Sequence, residues 1–397
     1  MTPLYDVIKQ YKRVKARFHM PSHGGKALIG ESDELYSSAA FDVTELSFSD
    51  NLSCPNGVIR EAERLAAAAY GAEETLFFAG GATDAVQTAL WTLRGKKIAF
   101  LGAMHKSFHS AARLFSLNVT EISSIEEITR GGFGAVCVTS PDYYGVMADI
   151  PRIAAACKQA GALLVADEAH GAHFVFSSLL PESAVKYADF TVHGAHKTLP
   201  VYTGGAMLHV KATFAGAARQ ARADVIGTSP SYLVMASLDY ARDLFEKNGE
   251  RLYSEVKQKL DRAKKRHPDV ALQPSDDFTR VVLYKENAGH ALAAALEKEG
   301  IFAEAADRDR VVLIVTPFNA RFAEKAFAVA ESFEGRNAEY PDISDLIGKK
   351  SAADVGVYPP GVPLVKKGEI FTKEKVEILQ ANLDRLFGTV DGKIVTE

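Results

Sequence analysis

From residue 75 onward, short apolar runs alternate with amphipathic stretches. The runs fall at residues 75–79, 97–101, 135–139, 163–166, 190–192 and 206–210. Residues 82–93, 125–129 and 150–159, lying between them, carry helical spacing. Apolar runs bounded by turns and separated by helices predict βαβ units and a mainly parallel sheet flanked by helices. Upstream, residues 3–18 form a short helical pattern that runs into the turn-rich stretch Pro21-Ser22-His23-Gly24-Gly25. A segment that short must lie on another surface to cover its apolar face. Residues 57–70 repeat Val58, Ile59, Ala62, Leu65, Ala66 and Ala69 at helical spacing. Residues 232–266 predict one long helix, closed by Lys264-Lys265-Arg266 before Pro268. Such a basic cluster suits a helix C-terminus in solvent. Beyond it, strand-like runs (279–284, 311–315) and helices (291–299, 320–333) predict a second, smaller α/β domain. The expected organisation is an N-terminal arm (1–40), a large domain (41–245), and a linking helix with a small C-terminal α/β domain (246–397).

Composition narrows the class. With 397 residues, 47 % of them apolar, the chain can bury a core and is neither disordered nor a disulfide-built miniprotein. A net charge of −4 argues against nonspecific nucleic-acid binding, which needs a basic face. Cys54, Cys137 and Cys157 are odd in number and form no CxxC pair, which suits a reducing compartment. The N-terminus has no apolar leader region, and no stretch reaches the roughly 18 apolar residues of a membrane helix. A cytoplasmic location is expected.

In open α/β sheets, ligands bind outside the carboxyl ends of the strands. The run 163–166 delivers Asp167 there, within Asp167-Glu168-Ala169-His170-Gly171-Ala172-His173. The run 190–192 is followed by His193-Gly194-Ala195-His196-Lys197-Thr198. An aspartate and a lysine at one sheet edge match the needs of pyridoxal phosphate, a Schiff-base lysine and a carboxylate for the pyridinium nitrogen. Taken alone, the pair reads equally as a loop-capping Asp and an exposed Lys. Gly80-Gly81-Ala82-Thr83-Asp84 then supplies a glycine turn feeding a helix N-terminus, which suits a phosphate. No Walker sequence occurs, so the DEAH spelling carries no helicase meaning. His105, after the run 97–101, has the position to stack on a flat ring. His170 and His173 with Asp167 lack a further ligand set, and no metal is expected.

Taken together, the chain resembles the ornithine/lysine/arginine decarboxylase family, with its aspartate-aminotransferase type of fold. The resemblance begins at Arg17-Phe18-His19-Met20-Pro21-Ser22-His23-Gly24-Gly25. It continues through Asp42-Val43-Thr44-Glu45-Leu46, Asn56 to Glu63, His105-Lys106-Ser107, Ser140 to Gly145, the Asp167–His173 stretch and His196-Lys197-Thr198-Leu199-Pro200. It ends at Tyr358-Pro359-Pro360-Gly361-Val362-Pro363 and Gly368-Glu369. The resemblance implies an α/β fold type I pyridoxal-phosphate enzyme. It also implies that Lys197 carries the cofactor, Asp167 pairs with its ring nitrogen, and His105 stacks on the ring opposite Ala169. His170 would reach the ring oxygen, and Gly81, Ala82, Thr83 and His196 would hold the phosphate. Longer family members carry an N-terminal wing that builds rings; its absence implies a homodimer with the site at the interface. There are departures. Gly80 and Ala82 stand where hydrogen-bonding side chains are usual, and Gly194-Ala195 replaces two hydroxyl residues before His196.

The expected activity is decarboxylation of an amino-acid substrate, basic in character (lysine, arginine or ornithine), giving CO₂ and a diamine or polyamine precursor. Glu45, Asp50 and Glu369 are the candidate receptors for a cationic side chain, by resemblance alone. Two alternatives stay open. One is another pyridoxal reaction such as transamination, for which Arg308, Arg310 and Arg321 lie in the right region to bind a retained carboxylate. The other is a non-catalytic homologue acting as a regulatory subunit, motivated by the altered phosphate loop.

Overall fold

A computed structural model describes residues 1–14, 16–25, 34–337, 341–357, 361–390 and 392–397. The motif residues Tyr358, Pro359 and Pro360, and residues 26–33 of the expected arm, lie outside the described residues. The chain divides into two compact units. The first comprises Met1–Gly102, Ser110–Asp142 and Met147–Arg251; the second comprises Ala103–His109, Tyr143–Val146 and Leu252–Glu397.

Among the described residues, the first unit holds a seven-stranded sheet. Its strands are β1 (Glu74–Phe78), β2 (Lys97–Leu101), β3 (Asn118–Ile122), β4 (Ala135–Thr139), β5 (Leu163–Asp167), β6 (Phe190–His193) and β7 (Ala206–Val210), in the order β1-β7-β6-β5-β4-β2-β3. Strands β2 to β6 pair in parallel, whereas β7 runs antiparallel to both its neighbours. The central strands are buried almost throughout because helices cover both faces, which explains their continuous apolar runs. On one face Ile150, Ile153 and Cys157 pack with Val136, Val138, Leu164 and Ala166. Their helix, Ile150–Ala160, starts where Asp149 accepts a hydrogen bond from Arg152 N (3.1 Å).

Strand β3 escapes the sequence reading. It is an edge strand in which Asn118, Thr120 and Glu121 are exposed, so it lacks an apolar run. The N-terminal helix is shorter than its pattern predicts, spanning Pro3–Tyr11. The chain turns after Tyr11, and Arg17 reaches back over the Tyr11 ring (4.8 Å) and donates to Ala40 O (2.7 Å). Leu4 and Ile8 are fully buried within the first unit, where Leu4 N donates to Asp239 Oδ2 (3.0 Å).

The predicted long helix spans Tyr232–Arg266. In the second unit, Arg280–Tyr284 and Arg310–Ile314 pair antiparallel at the centre of a four-stranded sheet. The helices Gly289–Lys298 and Ala323–Ser332 share its core through Leu292, Leu296, Ala326 and Phe327.

Candidate active site

The carboxyl ends of β5 and β6 lie side by side, with Asp167 in register with Val192. Asp167, the last residue of β5, is buried. Burial pushes its carboxyl up, while the Lys197 ammonium and the Ala169 N–H, which donates to Oδ1 at 3.2 Å, act in the opposite direction. After β6 the chain makes a tight turn, Ala195–Lys197, that presents Lys197 to the same edge. Lys197 Nζ lies 3.2 Å from His170 Nε2. Gly194 N donates to Ala169 O at 3.1 Å, so the two loops are stitched together. A Cβ at Gly194 would stand 2.9 Å from Ala169 O and 3.1 Å from Lys197 Cδ, so the turn depends on having no side chain there.

Helix Ala82–Thr92 begins at Gly81, which caps it without a side-chain hydrogen bond. Gly81 N is already committed to Gly204 O (2.7 Å), and both His196 N (3.1 Å) and His196 Nδ1 (3.0 Å) are set against Gly205 O. The donors left to the helix dipole at this end belong to Ala82 and Thr83. Gly80 has a steric reason to be glycine, since a Cβ there would lie 2.0 Å from Asp84 Oδ2. Burial pushes the Asp84 carboxyl up.

The remaining candidates have other surroundings. Asp50 accepts backbone N–H bonds from Gly57 (2.8 Å) and Ile59 (3.1 Å), the work of a cap for helix Val58–Tyr70. Glu45 accepts from the Thr44 hydroxyl. In the second unit, Glu369 is ion-paired with Lys375 and accepts from Lys366 N (2.9 Å). His105 Nδ1 accepts from Ser107 N (3.2 Å), which assigns the ring hydrogen to Nε2 in the neutral form. Arg310 pairs with Asp307 (2.7 Å) and stacks on Tyr144, and Arg321 lies over Phe322. Glu168, His193 and His209, none of them a candidate from the sequence, are buried and hydrogen-bonded to one another in a line.

The first-unit residues fit pyridoxal phosphate. The Gly194 turn is a cradle that any side chain would fill, and Thr198 Oγ1, next to Lys197, is buried without a hydrogen-bond partner. Asp167 and Lys197 supply the carboxylate and the amine. Among the described residues, no group of three or more His, Cys, Asp or Glu side chains is arranged to hold a metal ion.

Comparison with known proteins agrees with this geometry. The sequence matches the Orn/Lys/Arg decarboxylase major domain over residues 2–122 and 116–281, and the C-terminal domain of the same family over residues 317–383. The uncharacterized protein YaaO of Bacillus subtilis is 29 % identical over 95 % of this chain and 93 % of its own length. An arginine decarboxylase of the same organism is 26 % identical over 96 % of this chain and 94 % of its own. The structure of the Francisella novicida lysine decarboxylase LdcF superposes with a TM-score of 0.79 at 14 % identity, covering 100 % of this chain and 81 % of that one, and so shares the fold. With both family domains matched across most of its length, the chain belongs to the Orn/Lys/Arg decarboxylase family of pyridoxal-phosphate-dependent enzymes.

Proposed function

We propose that the protein decarboxylates a basic amino acid, lysine, arginine or ornithine, and releases CO₂ with a diamine or polyamine precursor. The observation that carries this reading is the placement of Asp167 and Lys197 at adjacent strand ends, in a chain whose relatives include arginine decarboxylases. The cofactor, when bound, supplies a conjugated ring that accepts the electron pair of the breaking Cα–carboxylate bond. Asp167 holds a proton at the ring nitrogen, which raises the ring's pull on those electrons. Lys197 Nζ would hold the cofactor, and as a free amine it would be placed to carry the proton that Cα needs. His170 fixes the direction of that amine through its 3.2 Å contact. Ala82 and Thr83 N–H groups, with the dipole of their helix, bind the phosphate. For His105, the family resemblance implies ring stacking and a role as alternative proton donor.

The test is CO₂ release measured separately with lysine, arginine and ornithine, with Lys197→Ala as control. One of the three should be turned over, and the variant should lose about 10³-fold or more. Formation of a 2-oxo acid without CO₂ would overturn the reading. The same proposal has the chain working as a cytoplasmic homodimer, which sedimentation of the loaded protein checks. No helix among the described residues is long and apolar enough to cross a membrane.

A further inference from the structure

Three strands of the first unit, and the residue just beyond a fourth, contribute to one buried line of hydrogen bonds. Thr75 on β1 is in register with His209 on β7, and Thr75 Oγ1 lies 2.8 Å from His209 Nδ1. His209 pairs with Thr191 on β6, so His193, two residues on, is its diagonal neighbour. His209 Nε2 lies 3.0 Å from His193 Nδ1. His193 Nε2 lies 2.7 Å from Oε2 of Glu168, which follows the end of β5. Ser183 donates its hydroxyl to the same oxygen, and Ala184 N donates to Oε1 at 2.8 Å.

The line sits at the root of the two loops that form the site. Glu168 immediately follows Asp167, and His193 immediately precedes Gly194. The Glu168–His193 bond therefore ties the loops from below. The Gly194–Ala169 bond joins them at mid-height, and the Lys197–His170 contact at the top.

We propose that Glu168 and His193 are positioning residues for Lys197, and that the line from Thr75 to Glu168 is a two-state switch whose hydrogen bonds reverse direction when Glu168 gains a proton. With Glu168 ionised, Thr75 O–H donates to His209 Nδ1, His209 Nε2–H to His193 Nδ1, and His193 Nε2–H to the carboxylate. With one more proton in the line, the Glu168 hydroxyl donates to His193 Nε2, His193 Nδ1–H to His209 Nε2, and His209 Nδ1–H to Thr75 Oγ1. Each of the three bridging protons has moved one hydrogen bond toward Glu168, the added proton restores the Thr75 hydroxyl, and both imidazoles are neutral in either state.

The surroundings favour neutral groups. Burial pushes Glu168 up to about 8, against the Ser183, Ala184 and His173 contributions. Burial drives His193 down to about 3 and His209 well below the usual imidazole range. The groups facing Glu168 are His173 on its own segment, Ser183, His193, and Tyr70 from helix Val58–Tyr70; Arg242 acts on Tyr70 in turn. Tyr70 and Ser183 also line a surface cavity with Gly71, Phe174, Lys186 and Lys211.

The part concerning Lys197 rests on the function proposed above; the switch does not. The experiment has two arms. In cofactor-free protein with ¹⁵N-labelled histidine, NMR should show the hydrogen of His193 and of His209 passing from Nε2 to Nδ1 as the pH falls through about 8. Glu168→Gln, which cannot ionise, should abolish that step. A step that is missing in the unaltered protein, or that persists in Glu168→Gln, overturns the switch. In the second arm, pyridoxal phosphate is added and the product is fixed with borohydride. Glu168→Ala should slow labelling of Lys197 about tenfold or more, because a small misplacement of the amine is costly, and Glu168→Gln should recover most of the rate. Labelling of Glu168→Ala at the unaltered rate overturns the positioning role. Should that variant fail to fold, His193→Ala carries the same expectation and the same overturning result. Labelling of the unaltered protein at a residue other than Lys197 would instead sink the proposed function, leaving the NMR arm to decide the switch.

Discussion

Lys197 Nζ lies 3.2 Å from His170 Nε2, and the two residues reach each other from the loops that follow neighbouring parallel strands. The contact gives the amine one direction in which to point. Replacing His170 by Ala should lower kcat about tenfold with a smaller effect on KM, since it removes orientation and not substrate contact. His170→Gln, which retains an acceptor, should recover part of the loss. Steady-state kinetics on the preferred amino acid checks this.

In the proposed function, Asp167 carries the electronic part of the site. Asp167→Asn keeps the shape and removes the charge that favours a protonated ring nitrogen. The expected loss is about 10²- to 10³-fold in kcat, typical of removing one preorganised electrostatic partner. The visible spectrum of the loaded variant provides a second readout, because the protonation state of the ring changes its absorption.

Asp84 stands in the first turn of the helix proposed to hold the phosphate, folded over Gly80. An ionised carboxylate there opposes a phosphate. Burial raises the Asp84 carboxyl above the usual aspartate range, so the neutral form persists to higher pH than in an exposed aspartate. Cofactor affinity should therefore be greatest on the acid side of that raised value and weaken as pH rises through it. Asp84→Asn should bind pyridoxal phosphate about fivefold more tightly at neutral pH and lose this pH dependence, as judged by fluorescence titration.

Glu63 and Arg222 form an ion pair whose side chains are both fully buried. Glu63 Oε1 also accepts from Phe77 N (3.0 Å), and Arg222 Nη1 donates to Phe77 O (3.3 Å), so the pair brackets one residue of β1. Glu63→Ala leaves a buried guanidinium without its counter-charge and should cost about 3–5 kcal/mol. Urea unfolding would show a lower midpoint with unchanged slope. The Glu63→Leu/Arg222→Met double variant should be less destabilised than Glu63→Ala alone.

Most of the sheet is legible in the sequence because its central strands are covered on both faces and must be apolar throughout, as in Ala135–Thr139 and Ala206–Val210. The edge strand Asn118–Ile122 has no such requirement and leaves no pattern. Asp167 stands out because it directly follows an apolar run, and Lys197 because it lies in the polar segment after the next one. Thr75 and His209 sit inside strands and give no such signal. They join His193 only because β7 inserts between β1 and β6, a topological fact that no local window of residues records. Asp50 illustrates another limit: the backbone N–H groups of Gly57 and Ile59 that it accepts from are partners no sequence pattern displays.

The reversed direction of β7 has a consequence for ligand binding. At the rim where β5 and β6 end, β7 begins, with Ala206 opposite Phe78 and Met207 opposite His193. The turn proposed for the phosphate is thus closed by Gly204 and Gly205 on their way into the sheet. A ligand seated there would therefore bear on the start of β7. Ligand occupancy should accordingly slow amide exchange along β7, most strongly near Ala206.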